Sequence, residues 1–280
     1  MEVKIIIDST ADTTPAVREK CGIVPLTVAF GTEEYIDGVT IDHATFYEKL
    51  TAGDVLPTTS QAAPEAFAQR FRQVVEAGQQ AVVITVSSQL SGTYQSAMIA
   101  AMDFPGSIFV VDSLNVAIGT GILAELAVAL AEQGLPADQI AERLTREREK
   151  IRLFAVLDTL EYLKRGGRIS KTAAFAGELL SIKPLACIRE GKIQLLGKAR
   201  GLKQANTMLA SQIREAGDVD FRKPLLMGYT GLSDASLEKF AQDNAALWQE
   251  HTSPIHRATI GSVIGTHAGP GAFAVAFFKK

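Results

Sequence analysis

An α/β architecture in two parts is what this 280-residue chain predicts, and three observations lead there. Short β-branched runs end on polar loops and are followed by helix-like sequence, which is the grammar of a parallel sheet covered by helices. Two polar clusters, PTTSQ at Pro57–Gln61 and SSQLSGTYQSA at Ser87–Ala97, stand beside or at the ends of such runs. Beyond residue 152 the order changes to a hairpin with strands and helices of mixed kind, so the second part reads as α+β.

Val3–Ile7, closed by Asp8, reads as a buried strand, and Pro15–Cys21 as the first helix. The stretch from Val24 to Leu56 holds Gly31, Gly38 and interspersed acidic residues, and reads as a small hairpin-bearing insertion outside the main sheet. Helix-like Pro64–Val75 follows. Strands are predicted at Ala81–Val86 and Ile108–Val111, with helices at Thr93–Met102 and Gly121–Gln133. Gly119-Thr120-Gly121 lacks the third glycine of a dinucleotide loop and reads as close packing at a helix start. Ala137–Ile151 spaces Glu142, Arg146 and Lys150 as a solvated helix face does. A boundary near its end divides the chain into 1–152 and 153–280. The second part reads as strand LFAVLDT, helix LEYLKRGG, apolar helix TAAFAGELLSI and a hairpin over Ala186–Arg200 turning at Glu190-Gly191. A helix, strand PLLMGYT, helix Asp234–Trp248 and strands RATIGSVIGTH and AFAVAFF complete it.

Composition removes several classes. Apolar residues make up 47% and charged residues 21%, as in a globular protein with a substantial core. Lys and Arg total 28 against 31 Asp and Glu, a net charge of −3 that argues against broad binding to nucleic acid. Cys21 and Cys187 read as unpaired thiols in a reducing compartment. The short apolar run near the N-terminus does not make a signal peptide, and no run is long enough to span a membrane, so a cytoplasmic location is expected.

No G-x-S-x-G elbow, phosphate loop or H-E-x-x-H site occurs, and the four histidines lack ligand spacing, so no metal is expected. Hydroxyls remain. Thr58, Thr59 and Ser60 precede one predicted helix, and Ser91-Gly92-Thr93 opens another, so helix capping explains them locally. Helix N-termini also attract anions, and both readings stand at this point. THAGPG at Thr266–Gly271 sets His267 among glycines in what reads as a loop joining two strands, with backbone able to approach a ligand closely. Arg165-Gly166-Gly167-Arg168 is either a solvated helix end or an arginine loop for an anionic group or an acidic partner.

These motifs resemble the DegV family of fatty-acid-binding proteins. The resemblance rests on DSTAD at Asp8–Asp12, PTTSQ, SSQLSGTYQSA, VDS at Val111–Ser113, LEYLKRGGRIS at Leu160–Ser170, Lys183-Pro184 and THAGPGA at Thr266–Ala272, in one order. It implies a two-domain α/β fold that holds one long-chain fatty acid in an apolar tunnel, with the carboxylate near the domain junction and no cofactor. By position, Thr59 and Ser91 correspond to carboxylate-binding hydroxyls, with His267 beside them and Ser60 and Gly92 adjoining. The family further implies a fatty acid kinase as partner, phosphorylating the carboxylate, with Arg168 and Arg200 at the handover. Transient contact with a membrane surface for lipid exchange fits that role.

The apolar helices at Ile118–Leu130 and Ala173–Ile182 are the candidates to line a tunnel, with ordinary core as their other reading. Burying roughly fifteen methylenes at about 0.8 kcal/mol each sets an upper bound near 12 kcal/mol before entropic costs. The rival reading is an acyl or phosphoryl transferase with Ser91 as nucleophile and His267 as base. It lacks a third residue to orient the histidine.

Overall fold

The computed structural model describes residues 2–53, 55–169, 181–249 and 254–280. Three sheets organise them. The first is parallel, in the order Cys21–Val24, Val3–Asp8, Gln80–Thr85, Ile108–Asp112. The second has six strands in the order Lys192–Arg200, Ile182–Arg189, Ile151–Val156, Phe273–Phe278, Leu226–Tyr229, His256–Thr259, antiparallel except for its last pair. A small antiparallel sheet joins Glu33–Ile36, Thr27–Phe30 and Thr58–Ser60.

Each central strand feeds two cores by simple alternation. Ile5 and Ile7 point to one side of the parallel sheet and Ile6 to the other, as do Val82 and Ile84 against Ala81 and Val83. The run FAVAFF is buried at every position because its sheet is covered on both faces. Ala274, Ala276 and Phe278 enter the core shared with the parallel sheet, while Phe273, Val275 and Phe277 pack towards the helix Gly201–Glu215.

Helix Ala117–Glu132 lies between the two large sheets, which explains why it is apolar all round. It is core along most of its length, and only its first turn approaches the cavity described below. The close packing expected of its glycines is observed. A Cβ on Gly121 would strike the Asp12 carbonyl, and one on Gly119 the Asn115 side chain. The predicted helix at 137–151 forms over Ala137–Glu147, with Ile140 and Leu144 buried and Arg146 paired to Glu142 at 2.8 Å in solvent.

Several elements differ from the sequence reading. The first helix covers only Pro15–Arg18, and Cys21–Val24 is an edge strand of the parallel sheet. Its four residues are too few to show a period. PTTSQ contributes the strand Thr58–Ser60, and the following helix starts after Ala63 with no side-chain cap. Capping by Ser60 therefore does not occur. RATIGSVIGTH is a strand, His256–Thr259, followed by a helix, Ser262–Ala268, so THAGPG is a helix end. Alternating β-branched residues resemble a strand there, but buried carboxylates hold the helix start. The hairpin at Glu190-Gly191 is as predicted: both turn residues have positive φ, 51° and 75°, the geometry of a two-residue hairpin turn. Most of the apolar run at 172–182 lies outside the described residues, and Ile182 opens a strand.

Candidate ligand-binding site

An apolar cavity of about 430 Å³ opens where the carboxyl ends of the parallel strands meet the second sheet. Leu153, Ala155, Ala186, Cys187, Ile188 and Ile193 form its wall on the second sheet, and Val116 and Ala117 bring in the start of the central helix. Its polar edge is made by Thr59, Ser60, Gln61, Ser91, Gly92, Arg168 and His267. Six of the seven residues singled out in the sequence thus meet in one lining. Arg200 does not join them. It precedes the helix Gly201–Glu215, and its backbone N–H donates to Gln204 Oε1 at 2.6 Å.

Strand alternation turns Thr59 inward between exposed Thr58 and Ser60, and Thr59 pairs in register with buried Val28. Its Oγ1 is 3.0 Å from His267 Nε2. Ser91 lies in the loop after Gln80–Thr85, where its Oγ accepts from the Thr93 N–H at 3.3 Å and shares a hydrogen bond with Thr93 Oγ1 at 2.9 Å. Gly92 is needed for space: a Cβ there would meet the Gln61 side chain, which donates to Ser96 Oγ at 2.8 Å. Arg168 ties two loops together by donating from Nε to the Leu90 carbonyl at 3.3 Å and from Nη1 to the Gly166 carbonyl at 2.7 Å. The neutral hydroxyls therefore have a cation in the same wall.

His267 occupies the last turn of Ser262–Ala268. Burial, and then the Arg168 charge, push its pKa down to about 4, so the ring is neutral at physiological pH. Its Nδ1 is buried without a hydrogen-bond partner, close against Gly166. An unpaired N–H is costlier to bury than an unpaired lone pair, so the neutral ring favours its proton on Nε2. Nε2–H then donates to Thr59 Oγ1, and the Thr59 hydroxyl proton is free for an acceptor in the cavity. The glycines near His267 serve protein packing. Gly265 admits Phe46 and Tyr47, and Gly269, at φ 71°, admits the Tyr162 ring.

The supports of this site were not legible as such. Asp12 Oδ1 accepts from Gly261 N–H at 2.9 Å, while Asp37 Oδ1 accepts from Ser262 Oγ–H at 2.6 Å and more weakly from its N–H. Two buried carboxylates thereby fix the start of the helix that carries His267. Burial holds the Asp12 pKa well above the usual carboxylate range, and the charge of Asp37 adds to the rise. Asp8 accepts from Val86 N–H at 2.7 Å and Thr10 N–H at 2.9 Å, joining the loops after the two central parallel strands. Its pKa is also raised by burial, against the lowering effect of those bonds. DSTAD was the available signal, but a strand-end aspartate does not announce which distant N–H it will meet.

The proposed nucleophile–base pair is not assembled. Ser91 Oγ bonds to Thr93, His267 Nε2 to Thr59, and His267 Nδ1 meets no carboxylate. Among the described residues, no group of three His, Cys, Asp or Glu side chains is placed to hold a metal ion.

The model of the DegV family of uncharacterised proteins matches residues 2–280. The chain belongs to the DegV family. A DegV domain-containing protein of Deinococcus radiodurans is 36% identical over 280 residues, covering 99% of this chain and 98% of that one. Among solved structures, a fatty-acid-binding DegV family protein from Thermus thermophilus superposes with a TM-score of 0.88 at 31% identity, covering 100% of both chains. A stearic-acid-binding protein from Eubacterium ventriosum gives 0.83 at 29% identity, with 99% of this chain and 98% of that one covered. The mixed α/β fold with a parallel four-stranded sheet is thus the DegV fold.

Proposed function

We propose that this protein is a fatty-acid-binding carrier without chemistry of its own, holding a long-chain fatty acid and presenting its carboxylate to a fatty acid kinase. The observation that carries the reading is an apolar cavity of about 430 Å³ ending on Thr59, Ser91 and His267. Its size falls within the roughly 300–1,000 Å³ of small-molecule sites. Fatty acid binding by a DegV family protein from Thermus thermophilus and stearic acid binding by a protein from Eubacterium ventriosum support the same ligand class.

The acyl tail lies against Leu153, Ala155, Ala186 and Ile193, and the carboxylate lies at the polar edge. There the Thr59 hydroxyl, directed by His267, donates one hydrogen bond, and Ser91 can donate a second if it gives up Thr93. Ser60 and Gly92 flank these donors. Arg168 supplies a compensating charge and holds the Ser91 loop through the Leu90 carbonyl. The kinase would approach over Arg165 and Arg168, which border a second opening of about 370 Å³ shared with Thr59 and His267. Arg200, which is not part of the cavity lining, is a docking contact. The division into 1–152 and 153–280, with the ligand between, and residence in the cytoplasm with brief visits to a membrane surface, belong to this proposal. No helix of the described residues is long and apolar enough to cross a membrane.

Native mass spectrometry of protein purified from cells should show the added mass of one fatty acid. Protein that is ligand-free and also fails to take up palmitate or oleate sinks the proposal.

A further inference from the structure

A second cleft, of about 380 Å³, lies behind the apolar cavity. Leu153, Cys187 and Ile188 line both, so a single layer of side chains separates them. The cleft has the opposite chemistry. Arg148, Arg152 and Arg189 converge on it from the turn Arg148–Lys150 and from the two strands that follow in the second sheet.

Strand register makes two of these charges neighbours. Phe154 and Cys187 are the last pair of the antiparallel ladder, and Arg152 and Arg189 stand two residues beyond it on the two strands, close enough for each charge to act on the other. Like charges in that relation repel. The repulsion is felt at Arg152, whose pKa is lowered first by burial and next by Arg189, ahead of the raising effect of Glu149. Arg152 Nη1 donates only to the backbone carbonyls of Glu149 and Ile151. Arg189 pairs with Lys192 through the hairpin backbone, but its side chain has neither a hydrogen bond nor an ion pair among the described residues. Arg148 Nη1 donates to the Asp112 carbonyl at 2.6 Å, while its Nε is buried with no acceptor in hydrogen-bond geometry.

The carboxylates in the lining do not resolve this. Glu149 is mostly exposed and reaches only Arg148 Nε, at 3.5 Å. Glu215 accepts from Ser211 Oγ–H at 2.7 Å and Gln212 Nε2–H at 2.9 Å. Glu190 sits in the hairpin turn. None bridges Arg152 to Arg189. Arg148 and Arg152 are half-buried and Arg189 is exposed; Glu149 pairs with Arg148, while among the described residues no carboxylate pairs with Arg152 or Arg189, whose fork geometry suits an oxyanion.

We propose that this cleft is a binding site for a small phosphate-bearing anion, distinct from the lipid cavity it backs onto. Two or more negative charges on one ligand match the crowded guanidinium groups, whereas a monocarboxylate leaves charge uncompensated. The cleft also has room for more than a bare phosphate.

Isothermal titration of the full chain with inorganic phosphate, pyrophosphate, ribose 5-phosphate and acetate tests this. A saturable 1:1 isotherm is expected for at least one phosphate compound, with acetate weaker than each phosphate compound that binds. A preference for ribose 5-phosphate would indicate a phosphorylated metabolite, and one for the inorganic ions a free-phosphate site. Arg189→Gln and Arg152→Gln should each weaken binding by about tenfold or more. Arg146→Gln, on the solvated face of its helix, should not. The Arg189 side chain is exposed and has no hydrogen bond or ion pair among the described residues, so Arg189→Gln carries the test if Arg152→Gln fails to fold. In phosphate-free buffer Arg189→Gln should melt no lower than the parent, because it relieves repulsion, and added ligand should stabilise only the parent. Absence of saturable binding at millimolar ligand, or equal affinity in parent and Arg189→Gln, overturns the proposal.

Discussion

The two cavities share a wall and differ in nearly everything else. In front of Leu153, Cys187 and Ile188 the lining is aliphatic, with hydroxyls, one imidazole and one arginine gathered at the far edge. Behind them three arginines and three glutamates surround a space of similar size. On the proposed function, burial of an acyl tail supplies affinity in the front cavity and the polar edge sets orientation. In the rear cleft there is little apolar surface to bury, so any affinity comes from charge. One sheet, built from alternating residues, presents both kinds of site within two residues of each other: Leu153 lines both, and Arg152 only the rear.

Filling the front cavity should produce the largest effect. Ala155→Phe places a ring in the lining proposed for the acyl tail, and displacing even four methylenes at about 0.8 kcal/mol each should lower palmitate affinity by roughly two decades. Phosphate binding behind the wall should be unchanged. A fluorescent fatty-acid displacement assay checks the first, and titration the second.

Thr59→Ala and Ser91→Ala come next. Each removes a charge-assisted hydrogen bond of roughly 1.5–3 kcal/mol, so palmitate affinity should fall by about one to two decades without being abolished. Kinase-dependent acyl phosphate formation should fall further, because a swivelling carboxylate loses its alignment. Arg168→Ala should cut phosphorylation more than lipid binding. Lipid binding should not escape entirely, since Arg168 also secures the Leu90 carbonyl beside Ser91.

Salt separates the cavities more gently. Raising ionic strength should weaken phosphate binding at the arginine cleft several-fold through screening, while palmitate binding changes little or tightens. Equal salt sensitivity at the two sites would erase the contrast.

The last contrast is a pH dependence at the front cavity. His267 has a folded pKa of about 4 against an ordinary 6.5, so between those values the unfolded chain holds the extra proton. Its contribution to stability is complete above pH 6.5 and is lost as pH falls towards 4. Thermal melts of the parent and His267→Gln should diverge in that window and run parallel above it. A carboxylate bound nearby favours the imidazolium, so palmitate should move the His267 NMR titration upward.

How much of this was legible depends on the range of the interaction involved. The central strands, the buried helix Ala117–Glu132 and the Glu190-Gly191 hairpin follow from local pattern and turn chemistry, and the sequence shows them clearly. The strand Cys21–Val24 is too short for its period to register, and the helix Ser262–Ala268 is anchored at its start by Asp12 and Asp37, some 225 and more residues away. The polar edge of the front cavity was visible as hydroxyl clusters and family motifs, although local reasoning alone left helix capping and anion binding both open. The rear cleft was invisible, because Arg148, Arg152 and Arg189 belong to no motif and meet only through strand register.

A crystal structure of the protein with palmitate tests the central claim most directly. The expected map shows the tail running from the Thr59–His267 edge towards the wall of Cys187 and Ile188, with the carboxylate within hydrogen-bonding distance of Thr59 Oγ1. A lipid lying in reverse, with its carboxylate turned to that wall and the arginines behind it, or a cavity left empty in saturating palmitate, would contradict the account.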